Sequence, residues 1–313
     1  PTQAVCSMFS LIKAISSSWL RELRSLTLIP LIKCCKVLTL SGGGVYGSFE
    51  SGVLTKLFEQ NSTYNIITGV SSGSLNAGYL SSIKSGEEYK YVNDFKNLWI
   101  NISNKEIYKN IYFLNGLSLY DNTPLKHKLT EIYSSRKSIR PIKIGASSLK
   151  EGKTKVFTED DILKYGFIDI LMSSTAIPIA FPPHEFLDDI FVDGGLTSNI
   201  LLNEGIDYCL KEFPNENIYI DLIICGKKLS IDTSLTMHTK DIFNRIISIL
   251  LQQVEYSELL HPILEDNIFI TVYEQKHEDS YGMLDFTASE TLYYEGYNFS
   301  NVNVYWINKT IIE

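Results

Sequence analysis

Short apolar runs and stretches of helical periodicity alternate along the first half of the chain. An apolar run at residues 37–40 precedes a cluster of glycines, and a helical pattern then continues through Leu57. A second run at residues 64–68 precedes a serine-containing turn and a helical pattern through Ile83. Strand–helix–strand units connect parallel strands by right-handed crossovers. The pattern therefore predicts an α/β fold with a mainly parallel sheet covered by helices on both faces.

The pattern further along the chain predicts more elements of both kinds. In chain order they are a helix-rich insertion or cap (86–138), a strand pair around a tight turn (142–147 and 155–157), a helix (161–175), a buried strand (219–225) and the longest helix (241–260). Pro262 should end the last helix, because proline cannot continue the backbone hydrogen bonding.

The N-terminal segment has a pattern of its own. Apolar residues from Met8 to Leu26 recur at steps of three and four, with basic residues on the opposite face. A basic amphipathic helix over residues 8–29 fits three roles: contact with a membrane surface, an organelle-targeting segment, or a helix packed on the domain. The simplest division is an arm, residues 1–35, and one domain, residues 36–313.

Composition and charge narrow the function classes. The formal net charge of −8 argues against nucleic acid as a partner. No run of about 18 apolar residues is free of charge, so no transmembrane helix is predicted, and we expect a cytoplasmic or peripheral membrane protein. The five cysteines have neither the spacing of a zinc site nor that of a disulfide framework. We expect buried or free thiols in a reducing compartment.

Three glycine-containing turns, each after an apolar run, carry the candidate chemistry. Ser71 lies in the second turn, between Gly69 and Gly73. A serine at a sharp strand-to-helix turn presents its hydroxyl at the helix N-terminus, where the dipole favours negative charge. An ordinary helix N-cap would use the same residue types. Ser71 is therefore a candidate nucleophile whose assignment depends on the other two turns.

The first turn contains Gly42, Gly43 and Gly44, followed by Val-Tyr-Gly. It also satisfies the G-x-G-x-x-G pattern of dinucleotide-binding folds. That interpretation requires an acidic residue at the end of the second strand, where the serine turn stands instead. We interpret the three glycines as an oxyanion hole, because backbone N–H groups without neighbouring side chains let a carbonyl group approach.

The third turn offers a base. Asp193 follows an apolar run and precedes two glycines. A serine nucleophile needs a proton acceptor, and partial burial raises the pKa of a carboxylate and makes it a better base. A plain turn is the alternative interpretation of Asp-Gly-Gly. Among the five histidines, His184 is the alternative base.

Four stretches, taken in order, resemble the patatin-like phospholipase family. They are residues 40–47 (LSGGGVYG), 69–74 (GVSSGS), 173–183 (SSTAIPIAFPP) and 191–199 (FVDGGLTSN). The resemblance implies a three-layer α/β/α sandwich and a Ser–Asp dyad without histidine, with Ser71 as nucleophile and Asp193 as base. It assigns the oxyanion hole to Gly42, Gly43 and Gly44. The implied reaction is hydrolysis of a fatty acyl ester of a phospholipid or related lipid through an acyl-serine, with no metal and no cofactor.

Three positions depart from the family pattern. Ser41 stands where the family usually has Asp, Tyr46 where it has Arg or Lys, and Ile200 where it has Pro. Two other functions stay open at this point, the first because the sequence does not separate it from hydrolysis and the second because of these departures. One is acyl transfer to an alcohol by the same dyad, and the other is lipid binding by a homologue with impaired catalysis.

Overall fold

The computed structural model describes residues 34–111, 118–225, 238–260, 266–276 and 281–307. The amphipathic helix expected over residues 8–29 lies outside the described residues, and its three roles stay predictions.

Helices and strands are interspersed along the described chain. The helices are α1 (Gly47–Glu59), α2 (Ser72–Ser81), α3 (Val92–Ile100), α4 (Asn104–Ile107), α5 (Thr123–Tyr133), α6 (Glu159–Tyr165), α7 (Ile168–Ser174), α8 (Leu202–Glu212), α9 (Thr239–Leu260) and α10 (Ser289–Tyr297). The strands are β1 (Cys34–Leu40), β2 (Ile66–Val70), β3 (Lys109–Asn110), β4 (Tyr120–Asp121), β5 (Ile142–Ser148), β6 (Lys153–Thr158), β7 (His184–Phe186), β8 (Asp189–Asp193), β9 (Asn217–Ile224), β10 (Ile268–Gln275) and β11 (Val302–Ile307).

The described strands other than β3 and β4 form one sheet. Its order is β11-β10-β9-β1-β2-β5-β8-β7, and β6 pairs with β5 outside this path. The five strands from β10 to β5 are parallel to one another. Antiparallel pairs occur towards the two edges, where β11 joins β10 and where β6, β8 and β7 continue the sheet beyond β5. The prediction of an α/β fold with a mainly parallel sheet is confirmed.

Side chains of β1 alternate between two hydrophobic clusters, one on each face of the sheet. Leu38 belongs to the larger cluster together with Phe49 of α1. Val37 belongs to the smaller cluster together with Ile206 of α8. Successive strand residues point to opposite faces, so helices must cover both faces to bury this continuous apolar run. The three-layer arrangement follows from that burial.

The helix predicted for residues 161–175 is wrong in one respect. The chain forms α6 and α7 instead of one helix, and Gly166 lies between them with φ of +81°. This left-handed conformation ends α6, because it cannot continue the helical hydrogen bonding.

Residues 86–138 contain α3, α4, α5 and the short β3–β4 pair. Trp99 of α3 and Leu129 of α5 belong to the same hydrophobic cluster as the sheet. Whether this segment is an insertion or a cap, and whether the arm forms a separate unit, stay predictions.

The expectation of free thiols is wrong for three cysteines, Cys34, Cys35 and Cys209, each of which is disulfide-bonded. Cys35 and Cys209 form a disulfide, with their Cα atoms 5.7 Å apart across 174 positions of sequence. Sequence spacing could not show this pair, because it depends on α8 packing against β1. Cys225 is a free, buried thiol. None of the helices in the described ranges is long and apolar enough to span a membrane.

Candidate active site

Ser71 occupies the sharp turn between β2 and α2. Its backbone has φ of 51° and ψ of −123°, a conformation that a residue with a side chain adopts only at an energetic cost. The flanking glycines permit the turn. A Cβ at Gly69 would lie 2.5 Å from the Gly73 carbonyl oxygen, and a Cβ at Gly73 would lie 2.5 Å from the Leu40 carbonyl oxygen. The geometry is that of a nucleophile elbow.

Asp193, at the end of β8, lies beside this turn. The Ser71 hydroxyl donates a hydrogen bond to Asp193 Oδ2 at 2.6 Å, and both residues are 5% exposed. The Ser71 N–H donates to Ser174 Oγ at 2.9 Å, and Ser174 in turn donates to the Gly145 carbonyl oxygen at 2.6 Å. The structure therefore brings together the serine and the carboxylate that the sequence nominated, and it ties the turn to β5.

Burial sets the basicity of Asp193. Loss of water around the carboxylate raises its pKa from 3.8 to about 6. Hydrogen bonds from the Ser71 hydroxyl and from the Gly195 N–H, the latter at 2.9 Å, oppose this rise. The carboxylate is thus ionised at neutral pH, yet it accepts a proton more readily than an exposed aspartate.

The glycine loop after β1 lies against the same turn, and its three N–H groups differ. The Gly42 N–H donates to Asn199, at 3.2 Å to Oδ1 and 3.3 Å to the carbonyl oxygen. The Gly43 N–H donates to Ser72 Oγ at 3.1 Å. The Gly44 N–H has no acceptor within the described part of the chain. Among the described residues, the N–H groups of Gly42 and Gly43 therefore already donate hydrogen bonds within the protein, and that of Gly44 does not.

Sequence reasoning gave Asn199 no role in holding this loop and missed the two glutamates that bind it. Asn199 Nδ2 donates to the Gly42 carbonyl oxygen at 3.1 Å and to the carboxylate of Glu255 on α9. One turn later, Glu258 accepts hydrogen bonds from the Ser198 hydroxyl and from the N–H groups of Asn199 and Ile200. Burial raises the pKa of Glu255 to about 8 and that of Glu258 to about 7. The signal in the sequence was the pair Glu255 and Glu258, three residues apart on an apolar helix, because such a pair lies on one face and can bind the same loop.

Two of the three positions that depart from the family pattern, Ser41 and Tyr46, have structural roles here. Ser41 Oγ accepts a hydrogen bond from the Cys225 N–H at 2.6 Å. The Tyr46 hydroxyl donates to the Tyr281 carbonyl oxygen at 3.0 Å and accepts from its N–H at 3.1 Å. Burial raises the Tyr46 pKa to about 12. Neither side chain replaces an atom of the Ser71–Asp193 pair.

His184 is not the hydrogen-bond partner of Ser71. Its Nε2 lies 3.1 Å from Asp169 Oδ1, and burial lowers the pKa of the imidazole. His261 and His277 lie outside the described residues.

Two apolar cavities meet at Ser71. The first, here called the helix-lined cavity, encloses about 730 Å³ that is partly open to solvent, and it extends past Gly44, Leu75 and Tyr79 between α2, α3 and α5. The second, here called the Asp193 cavity, is a space of about 380 Å³, also partly open to solvent, between the glycine loop, the Asp193 turn and α9.

Comparison with known proteins identifies the family. The family model of the patatin-like phospholipase matches residues 38–206. Since the match covers more than half of the chain, this protein belongs to the patatin-like phospholipase family. Membership implies a lipid acyl hydrolase.

Two individual proteins are also similar. The chain is 24% identical over 205 residues to probable lipid hydrolase 463L of Invertebrate iridescent virus 6, covering 60% of this chain and 69% of that protein. Among solved structures it is similar to VipD from Legionella pneumophila, with a TM-score of 0.41 and 12% identity over 87% of this chain and 68% of that one. The structural similarity to VipD is too low to support an argument about function.

Proposed function

We propose that this protein hydrolyses fatty acyl esters of phospholipids or related lipids, with Ser71 as nucleophile and Asp193 as its base. The observation that carries the proposal is the 2.6 Å hydrogen bond from the Ser71 hydroxyl to Asp193 Oδ2 at a strained strand-to-helix turn. Family membership supports the lipid substrate class.

The first half of the proposed reaction transfers the acyl group to the enzyme. Asp193 takes the hydroxyl proton while Ser71 Oγ bonds to the carbonyl carbon, and the carbonyl oxygen becomes an oxyanion. The intermediate then breaks its bond to the alcohol oxygen, which takes the proton from Asp193. The acyl-serine remains. An Asp193 pKa of about 6 suits both steps, because the group is ionised before attack and is still a competent acid afterwards.

The second half releases the fatty acid. Water gives a proton to Asp193 and adds to the acyl-serine carbonyl carbon, and the bond to Ser71 Oγ then breaks as that oxygen recovers the proton. Transfer to an alcohol would differ only in the attacking oxygen. Measuring released fatty acid against new ester, with and without added alcohol, separates the two.

The glycine loop is the proposed source of oxyanion donors. Gly44 offers an N–H without an acceptor among the described residues, whereas the Gly43 N–H is bonded to the Ser72 hydroxyl oxygen. Gly42 contributes by fixing the loop, because its N–H is held by Asn199. One well-placed donor is worth about 3 kcal/mol of barrier lowering.

Labelling with an alkyl fluorophosphonate tests the nucleophile. We expect the wild type to be labelled, Ser71→Ala to be unlabelled, and Asp193→Asn to react at least about 1,000 times more slowly. Ser81→Ala is the matched control, because it removes another buried hydroxyl of α2, one that bonds only to the Gly78 carbonyl oxygen. His184→Ala should also label at the wild-type rate.

Two results would contradict the proposal. Labelling of Ser71→Ala would show that another residue is the nucleophile. Absence of labelling and of ester hydrolysis in the folded wild type would favour a lipid-binding protein with an inactive site.

A further inference from the structure

Ser71 stands at the boundary between the helix-lined cavity and the Asp193 cavity, and it lines both. Asp193 lines only the second of them, whereas Gly44 lines only the first. An ester has two substituents, the acyl chain and the alcohol. A site with two apolar cavities at the nucleophile can therefore bind each substituent separately.

The proton transfer decides which substituent lies on which side. In the proposed reaction, the alcohol oxygen takes its proton from Asp193, so this oxygen must come within hydrogen-bonding distance of the carboxylate. The alcohol must then extend into the Asp193 cavity. The acyl chain takes the other direction, along α2, past Leu75 and Tyr79.

The side chains that line the Asp193 cavity are apolar apart from the Ser71 hydroxyl and the Asp193 carboxylate. The apolar side chains come from the loops that carry the site and from α9, and they are Ile177, Pro178, Leu196, Ile247, Leu250, Leu251 and Met283. Among the described residues, no Lys or Arg lines this cavity. A phosphate group would meet the Asp193 carboxylate there without a compensating cation, so the cavity suits a hydrocarbon chain and not a polar head group.

We infer that the Asp193 cavity binds an aliphatic chain carried by the leaving alcohol, so that the preferred substrates have one chain on each side of the ester bond. Lipids with two acyl chains have this chemistry, and so do esters of long-chain alcohols. This inference rests on the proposed function. It adds a binding site for the leaving group and predicts that single-chain lipids are poorer substrates.

The position of Leu250 supports an opening of this cavity towards a lipid. Leu250 is 44% exposed although it also lines the cavity, and Leu196, which lines the same cavity, is 40% exposed. A long chain could thus enter the cavity and continue outward along α9, whereas a buried apolar side chain would close the end. These two exposed leucines are accessible to substitution with little effect on the core.

The test is a series of butyrate esters with alcohols from ethyl to hexyl, all kept at monomeric concentrations. Each buried methylene should raise kcat/KM about fourfold, which gives about 200-fold across the series. Leu250→Gln should reduce this range about tenfold. Ile249→Gln is the matched control, because Ile249 is 42% exposed on the same helix and does not line the cavity. It should retain the wild-type range.

A second series varies the acyl chain at constant alcohol. Leu98→Gln, in the helix-lined cavity, should weaken the dependence on acyl length and leave the dependence on alcohol length intact. The chain on the alcohol side can be the second acyl chain of a phospholipid or a long-chain alcohol. Dihexanoyl phosphatidylcholine represents the first source and hexyl hexanoate the second, and monohexanoyl phosphatidylcholine is the single-chain lipid with which both are compared. Faster hydrolysis of either two-chain ester than of the single-chain lipid is expected.

A wild-type enzyme that labels with fluorophosphonate but shows no dependence on alcohol length would overturn this inference and leave the proposed function standing. Equal losses in Leu250→Gln and Ile249→Gln, or a preference for the single-chain lipid, would overturn it as well. Failure of the proposed function is a different result, namely absence of both labelling and hydrolysis.

Discussion

Replacing Asp193 by Asn should inactivate the protein and stabilise it. Burial raises the pKa of the carboxyl group from 3.8 to about 6, so the folded protein holds a charge that water would solvate better. A difference of roughly 2 pKa units corresponds to about 3 kcal/mol. Asparagine has nearly the same shape, and its Oδ1 can still accept the bond from the Gly195 N–H.

The pH dependence of this stability difference follows from the same two pKa values. Because the folded pKa is the higher one, the cost of ionisation is absent below about pH 4, grows between about pH 4 and pH 6, and is complete above that range. The free energy of unfolding of Asp193→Asn should therefore exceed that of the wild type by about 3 kcal/mol at pH 8 and by about 1.5 kcal/mol at pH 5.

Urea denaturation followed by tryptophan fluorescence measures this difference. The buried glutamates Glu255 and Glu258 are present in both proteins, so their own titration cancels in the comparison. Ser71→Ala is the control, since it keeps the buried charge and removes one hydrogen bond to it. It should gain no stability from this source. If Asp193→Asn were no more stable than the wild type at pH 8, or if the difference were the same at both pH values, the electrostatic reasoning would be refuted.

Three further predictions follow from the site and the disulfide. For a soluble ester, kcat/KM should rise with pH and level off above about pH 6, because Asp193 must be deprotonated to act as the base; a flat profile from pH 5 to pH 8 would contradict this. Gly42→Ala should slow fluorophosphonate labelling about 100-fold or more, because its Cβ would lie 2.5 Å from Asn199 Oδ1 and 2.9 Å from Ser71 Cβ. The control Gly78→Ala, whose Cβ would meet nothing closer than 3.4 Å, should label normally. Cys209→Ser should lower the free energy of unfolding by about 2–5 kcal/mol without changing the labelling rate, because it opens the Cys35 disulfide; detection of free thiols at both positions in the native wild type would exclude the bond.

The buried charge of Asp193 and the strained backbone of Ser71 both lower the stability of the fold. The serine adopts φ of 51°, and the carboxylate is ionised away from water. Both features oppose folding, and both are what the proposed reaction requires. Residues at functional sites often reduce stability in this way.

Tertiary packing decided several features that no local pattern contains. The pairing of Cys35 with Cys209 depends on α8 lying against β1. The hydrogen bonds from the loop around Asn199 to Glu255 and Glu258 depend on α9 packing beside that loop. Such contacts join residues far apart in the chain, and a single sequence carries no record of which distant residues meet.

The parts that the sequence by itself determined are those with a local physical cause. Apolar runs long enough for a strand, glycines at turns that admit no side chain, and helical periodicity predicted a mainly parallel α/β fold and placed Ser71 and Asp193 at the ends of strands. Only the tertiary structure showed that the two side chains lie 2.6 Å apart, that burial raises the pKa of the carboxyl group, and that two cavities meet at the serine. Distance, burial and cavity shape depend on elements that are remote in sequence, because each is set by packing from several sides at once.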